Sequence, residues 1–501
     1  MVVTQYRVFH DGVRRTAMAL TALRSRAMQG LTAIALLTLI GPAGAAAALP
    51  ATVTAALKAA AVPAAAIGIV VIEPGGRTLL AHRESEPMNP ASVMKLVTTT
   101  VALELLGPAY TWRTEVHLAG KLQNERLDGD LILRGGGDPH LTMESLWMLL
   151  RDVRARGVRE ITGDLVLDRS LFATGPFDPA AFDGEPARPY NVGPDALLLN
   201  FKAFRLTFIP DATASTVRIL AEPPLAGVRI VNNLVVGNGA CGEWPEKPDV
   251  DLPNATLSFN GNYAASCGEK VKHFSLLTPD DYARALFEQL WRQLGGTFSG
   301  KVREGTVPPG SIPLTGIDSP SLLEVVRDIN KNSNNVMARQ LYLALAAGRH
   351  TPGSPDTSRA VVASWFERRG IVAPEVVMEN GAGLSRFERI APTTLARLLE
   401  LAWLGPFGPE LASSLPIAGI DGTMKRRFAT GSAVVGRAHL KSGFLDNVRA
   451  VAGYVHGENG RTLIVVSVIN HANARAAAAV QEAVVEWAYG EASRGRCCGR
   501  Q

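Results

Sequence analysis

The feature that most constrains this chain is where its strand-like runs fall. Residues 66–72 (AIGIVVI) and 77–82 lie near one end, with the turn signal EPGG at 73–76 between them. Residues 437–441, 448–455 and 461–470 lie near the other end, the last two separated by a turn at 456–460. Runs this far apart complete one sheet only if the chain leaves that sheet and returns to it. In between, from about 116 to 277, the texture changes. Short apolar runs at 130–133, 163–167, 203–208 and 228–236 alternate with Gly, Pro and Asn, and one helical period stands at 145–156. Helical periods also cover 91–106, 279–294, 320–347, 358–369, 392–404 and 472–489. The pattern predicts an α/β (α+β) domain made from residues 49–115 and 278–490, interrupted by a β-rich insertion at 116–277. A chain of 501 residues, 47% of them hydrophobic, is long enough for two or three cores.

Arg24 and Arg26 precede the apolar run LTAIALLTLI, a Gly41-Pro42 break and small residues up to Ala48. A basic region, a short apolar region and a small-residue zone form the layout of an export signal, here residues 1–48 with cleavage near 46–48. The run is about half the roughly 20 residues that a spanning helix needs. The mature chain is therefore expected in the periplasm, with no integral membrane span. Residues 1–48 carry a net charge of +4 out of +5 for the whole chain. The nearly neutral body gives no electrostatic reason to expect nucleic acid as a partner. In an oxidising compartment Cys241 and Cys267 are expected to pair, whereas Cys497 and Cys498 stand in a polar tail at 491–501. No cysteine or histidine spacing calls for a metal, and no cofactor is expected.

Three short motifs carry chemistry together. Ser92-Val-Met-Lys95 stands at a helix start, where positions i and i+3 share a face, so hydroxyl and amine can meet. Serine needs a base to become a nucleophile, and a buried lysine beside positive charge can be one. Ser333-Asn334-Asn335 stands where helical sequence meets an Asn-rich turn. Ser333 is suited to relay a proton to a leaving amine, and Asn335 to hold a substrate amide. Lys441-Ser442-Gly443 ends a strand. Such a strand can align a peptide, offer a lysine and a hydroxyl to a carboxylate, and allow close approach at the glycine. The backbone N–H of Phe444, paired with that of Ser92, would complete an oxyanion hole. Each motif alone is commonplace; the ordered set SxxK, SxN, K[ST]G is specific.

On these motifs the sequence resembles the low-molecular-mass class C penicillin-binding proteins, the D-alanyl-D-alanine carboxypeptidase/endopeptidase family. The stretches GDLILRGGGDPHL (129–141), NGAGLSR (380–386) and LPIAGIDGTMKRR (415–427) resemble it too, as does the 241-residue separation of Ser92 from Ser333. The resemblance implies a transpeptidase/β-lactamase-like domain whose inserted β-rich domain carries a nested smaller domain. It implies Ser92 as acylated nucleophile, Lys95 as base, Ser333 and Asn335 as the second motif, and Lys441, Ser442 and Gly443 as carboxylate binders. It places Arg386 near the substrate side chain and makes Asp183 and Glu185 candidates for meeting the free amine of a diamino acid. Here Ser442 replaces a common Thr and keeps its hydroxyl, while Phe444 removes a side-chain contact to the carboxylate.

The expected function is a serine-type D-Ala-D-Ala carboxypeptidase, with D-alanyl-diaminopimelyl endopeptidase activity. Its substrates would be peptidoglycan stem peptides, and β-lactams its covalent inhibitors. The rivals are a β-lactamase or esterase of the same fold and a catalytically silent wall-binding protein. GGGDP at 135–139 lacks the Gly-Lys-Ser/Thr ending of a phosphate loop, and no GxSxG elbow is present.

Overall fold

The computed structural model describes residues 48–211, 213–242, 247–348 and 351–494. The expected export signal, apart from its last residue, lies outside the described residues, as do Cys497 and Cys498. Among the described residues no helix is long and apolar enough to cross a membrane.

Three sheets organise the described chain. In the first, the order is Ala438–Leu445, Val448–His456, Thr462–Asn470, Ile67–Ile72, Thr78–His82, with all neighbours antiparallel. The two ends of the chain meet where Ile67–Ile72 pairs with Thr462–Asn470. Successive side chains of a strand point to opposite faces, and here both faces are covered. Val70, Ile72, Ile464 and Val466 enter one core, with Val97, Leu395 and Leu399 from the helices Lys95–Leu106 and Pro392–Leu404. Ile69, Val71, Leu463 and Val465 enter the other, with Val53 and Leu57 from Ala51–Ala59 and Val480 and Val484 from Ala478–Ser493. Burial on both sides is why these strands read as continuous apolar runs instead of alternating ones.

The second sheet contains Arg113–Gln123, Arg126–Arg134, Glu160–Ile161 and Leu165–Asp168. It also contains Thr297–Phe298, Val302–Glu304 and Thr315–Asp318. The third sheet, six strands between Phe204 and Phe274, lies in sequence between strands of the second. This corrects the boundary expected at residue 278. The helix Pro279–Gln293 buries Tyr282, Leu286, Phe287, Leu290 and Trp291 in the core shared by the two inserted sheets, and strand pairing with the second sheet continues to Asp318. Helical periodicity shows that such a helix has an apolar face but not which sheet that face covers. The C-terminal helix likewise runs to Ser493, past the tail start expected at 491. Two short helices, Ala51–Ala59 and Gly408–Ser414, are additions to the sequence reading. A disulfide joins Cys241 to Cys267 beside the third sheet.

Candidate active site

Ser92 sits in a single 3-10 turn, Ala91–Met94, that runs directly into the helix Lys95–Leu106. The residue before it, Ala91, holds φ at 46°, a conformation that costs energy for a residue with a Cβ and persists only when its surroundings impose it. Asn89 imposes it. Its Oδ1 accepts from Ala91 N (2.8 Å), and its Nδ2 donates to Ser385 O (2.8 Å). Its backbone exchanges hydrogen bonds with the Asn470 side chain at the end of the first sheet (2.8 and 2.9 Å).

One turn on, the fully buried Lys95 donates from Nζ to Ser92 Oγ (3.0 Å), Asn335 Oδ1 (2.6 Å) and Ala382 O (2.5 Å). Burial holds its pKa well below the ordinary lysine value. The Lys441 charge lowers it further, Glu388 opposes, and Arg339 adds to the lowering. A hydroxyl within hydrogen-bond reach of an amine that binds its proton weakly is the arrangement that proton transfer requires.

The helical stretch expected over 320–347 is two helices, Leu322–Asn332 and Asn335–Ala344. Ser333 ends the first in the left-handed conformation (φ 55°), and Asn334 caps the second by accepting from Met337 N (3.1 Å). The break turns Ser333 and Asn335 towards different lysines. Lys441 Nζ donates to Ser333 Oγ (2.9 Å) and Ser442 O (2.9 Å). Lys441 is fully buried, and that burial lowers its pKa to about 7.

Ala438–Leu445, which carries the third motif, is an edge strand of the first sheet. The segment 416–418 covers its first half, through Ala418 N to Ala438 O (2.9 Å) and Leu440 N to Pro416 O (2.8 Å). That segment is anchored by Asp421, which accepts from Ile417 N (2.7 Å) and pairs with Lys331 (2.6 Å). Gly443 passes so close to the nucleophile turn that a Cβ there would stand 2.4 Å from Pro90 O. Ser442 Oγ bonds Thr423 Oγ1 (2.8 Å). The Phe444 ring is partly exposed beneath the Arg449 guanidinium, whose carbon lies 4.8 Å from the ring centre.

Arg386 stacks on Phe182 (5.0 Å) and donates to its carbonyl (3.2 Å), joining the 380–386 stretch to the loop that carries Asp183 and Glu185. Asp183 accepts from Tyr190 Oη (2.8 Å) and Asn191 Nδ2 (2.7 Å). Burial, and after it the bond to Asp183, pushes the Tyr190 phenol up to about 12. Glu185 meets Lys247 (2.7 Å). Arg339, on the Asn335 helix, donates to the carbonyls of Tyr190 (3.1 Å) and Val192 (2.8 Å), so the inserted loop is fastened to the helix behind the second motif.

The sequence reading missed Asn89, Arg339, Thr423, Glu388 and the Ala382 carbonyl. Ala382 and Thr423 fall inside stretches it had singled out. Asn89 and Glu388 act through backbone groups brought near by folding, and no spacing announces that.

This mixed α/β architecture is shared with solved penicillin-binding proteins. Penicillin binding protein 4 (dacB) from Haemophilus influenzae superposes with a TM-score of 0.71 at 25% identity, covering 86% of this chain and 96% of that one. The same protein in complex with a β-lactam gives a TM-score of 0.69. Residues 49–490 match the D-Ala-D-Ala carboxypeptidase 3 (S13) family, and the chain belongs to it. Among curated relatives, D-alanyl-D-alanine carboxypeptidase DacB of Haemophilus influenzae is 28% identical over 385 residues, 76% of this chain and 80% of that protein. D-alanyl-D-alanine carboxypeptidase of Actinomadura sp. (strain R39) is 28% identical over 450 residues, 86% and 82% of the two chains. The chain is a serine-type D-Ala-D-Ala carboxypeptidase.

Proposed function

We propose that Ser92 carries the reaction as an acyl-enzyme. Its Oγ attacks the carbonyl of the penultimate D-alanine while its proton passes to neutral Lys95. The C–N bond then breaks, and the departing amine takes a proton by way of Ser333. Water hydrolyses the ester to free Ser92. Lys441 and Ser442, with Thr423 beside them, receive the terminal carboxylate. The uncovered half of the edge strand aligns the peptide, and Phe444 N–H joins Ser92 N–H in stabilising the oxyanion. The observation that carries this reading is the Lys95 amine bonded to both Ser92 Oγ and Asn335 Oδ1. A peptide cross-link presents the same D-alanyl carbonyl, so D-alanyl-diaminopimelyl endopeptidase activity belongs to the same site. Asp183 is favoured over Glu185 for meeting a diamino-acid amine, because Glu185 already faces Lys247. The export layout of residues 1–48 supports a periplasmic location, where wall substrates are. β-Lactams, which combine a strained amide with a carboxylate, acylate the same oxygen.

The test is intact-protein mass spectrometry after penicillin exposure. One adduct is expected, mapped to the peptide containing Ser92 and missing from Ser92→Ala. An adduct retained in Ser92→Ala, or fast penicillin turnover with no adduct, overturns the proposal.

A further inference from the structure

Lys95 is held at three points: a hydroxyl, an amide oxygen and the Ala382 carbonyl. The third belongs to a turn with no regular structure of its own, so something else must fix it. Asn380 bridges the turn, accepting from Ala382 N (2.9 Å) and donating to Leu384 O (3.0 Å). Thr98, on the Lys95 helix, donates to Gly381 O (2.7 Å). Gly383, at φ 77°, passes so close to the Ala91 carbonyl that a Cβ there would overlap it. Beneath all of these lies one fully buried carboxylate. Glu388 Oε1 accepts from the amides of both Glu379 and Asn380 (3.1 Å each). Its other oxygen, Oε2, is buried and has no hydrogen-bond partner among the described residues.

We propose that Glu388 is a positioning residue for acylation: it anchors the turn that aims the Ala382 carbonyl at the Lys95 amine, and it supplies the buried negative charge that faces Lys95. This rests on the reading of Lys95 as the base. A buried acceptor of two amides need only be polar, and a glutamine would serve. A charge is a separate matter, and the surroundings show what it balances. Lys95 on its helix and Arg339 on the second-motif helix are basic groups with little access to water, and the Glu388 charge acts on both. Arg339 is itself lowered to about 10 by burial, with Glu388 opposing. Glu379 and Tyr342 are the other titratable groups against the carboxylate. Burial raises the Glu388 pKa, while its two amide bonds and Lys95 pull it back. The Glu388 charge opposes the lowering of the Lys95 pKa and so keeps that amine from losing its proton too readily. It thereby keeps that amine basic enough to take a proton from a serine hydroxyl.

The sign follows directly. Removing the negative charge disfavours protonated Lys95, so the neutral amine persists to lower pH. The measurement is the pH dependence of kcat/KM for release of D-alanine from a D-Ala-D-Ala peptide, with thermal unfolding alongside. Glu388→Gln keeps the acceptor and loses the charge. Its acid limb is expected about one pH unit lower, with KM and Tm near wild type. Glu388→Asp keeps the charge but not the reach, and its acid limb should stay at the wild-type position while kcat falls. Glu388→Ala should lose about tenfold or more in kcat, because the carbonyl is no longer aimed. An unshifted Glu388→Gln profile overturns the role of the charge, and a Glu388→Ala enzyme changed only in Tm overturns the positioning role. Lys95→Ala separates the two levels. If it acylates like wild type, the base itself is misassigned. If it is silent while Glu388→Gln is unshifted, only the role of Glu388 falls.

Discussion

The first sheet and the third sheet teach different things about what burial is for. In the first, Ile67–Ile72 is buried at all six positions, and Thr462–Asn470 at all but its two end residues. In the third, Thr216–Glu222 and Arg229–Gly237 keep most side chains exposed or half-exposed. The fully buried polar groups Lys95, Asn330, Glu388 and Lys441 lie around the first sheet. Desolvated amines bind protons weakly, and an interior packed on both sides keeps them desolvated. A sheet with one wet face gives fewer such sites: beside the third sheet Lys202, whose pKa burial lowers to about 8, is the counterpart, and it stands alone rather than beside a second buried lysine.

The sharpest way to break this contrast is a pair of glycine substitutions. Gly443→Ala forces a Cβ against Pro90 O, whereas Gly237→Ala in the third sheet meets only Asn262 Cβ at 3.8 Å. Gly443→Ala should slow penicillin acylation by about 100-fold, and Gly237→Ala should leave it unchanged. Equal effects in stopped-flow labelling would end the distinction. Next come two aliphatic truncations. Ile464→Ala opens a cavity between two covered faces and should cost about 2–5 kcal/mol in urea unfolding. Leu220, 46% exposed on the third sheet, should cost no more than about 0.5 kcal/mol on the same change. The smallest effect on activity is expected from the disulfide. It joins residues 26 apart beside the third sheet, and its reduction should destabilise the unit it closes by about 3 kcal/mol. The acylation rate should stay within about twofold of the oxidised enzyme. A collapse of labelling under reductant would show that the two regions are energetically one.

Much of the site was legible before any coordinates. The ordered motifs around Ser92, Ser333 and Lys441 are local signals, each tied to a helix start, an interhelix turn or a strand, and local chemistry is what a sequence displays. The boundary at residue 278 was misread because helix 279–293 has an apolar stripe that fits either neighbour. Thr423 was passed over because its partner, Ser442, is 19 residues on and meets it across a cleft rather than along an element. Glu388 stands in RFERI between two arginines, and nothing beside it in the chain shows that it is buried.

The sequence by itself determined that the chain returns to its first sheet after a long excursion, and which hydroxyls and amines it has to react with. Periodicity and spacing are written residue by residue, so they survive without coordinates. Only the tertiary structure decided that Lys441 meets Ser333, where the inserted region ends, and that the Lys95 amine shares its interior with a carboxylate. Those outcomes depend on desolvation and on contacts between segments hundreds of residues apart, and such quantities exist only once the chain has packed.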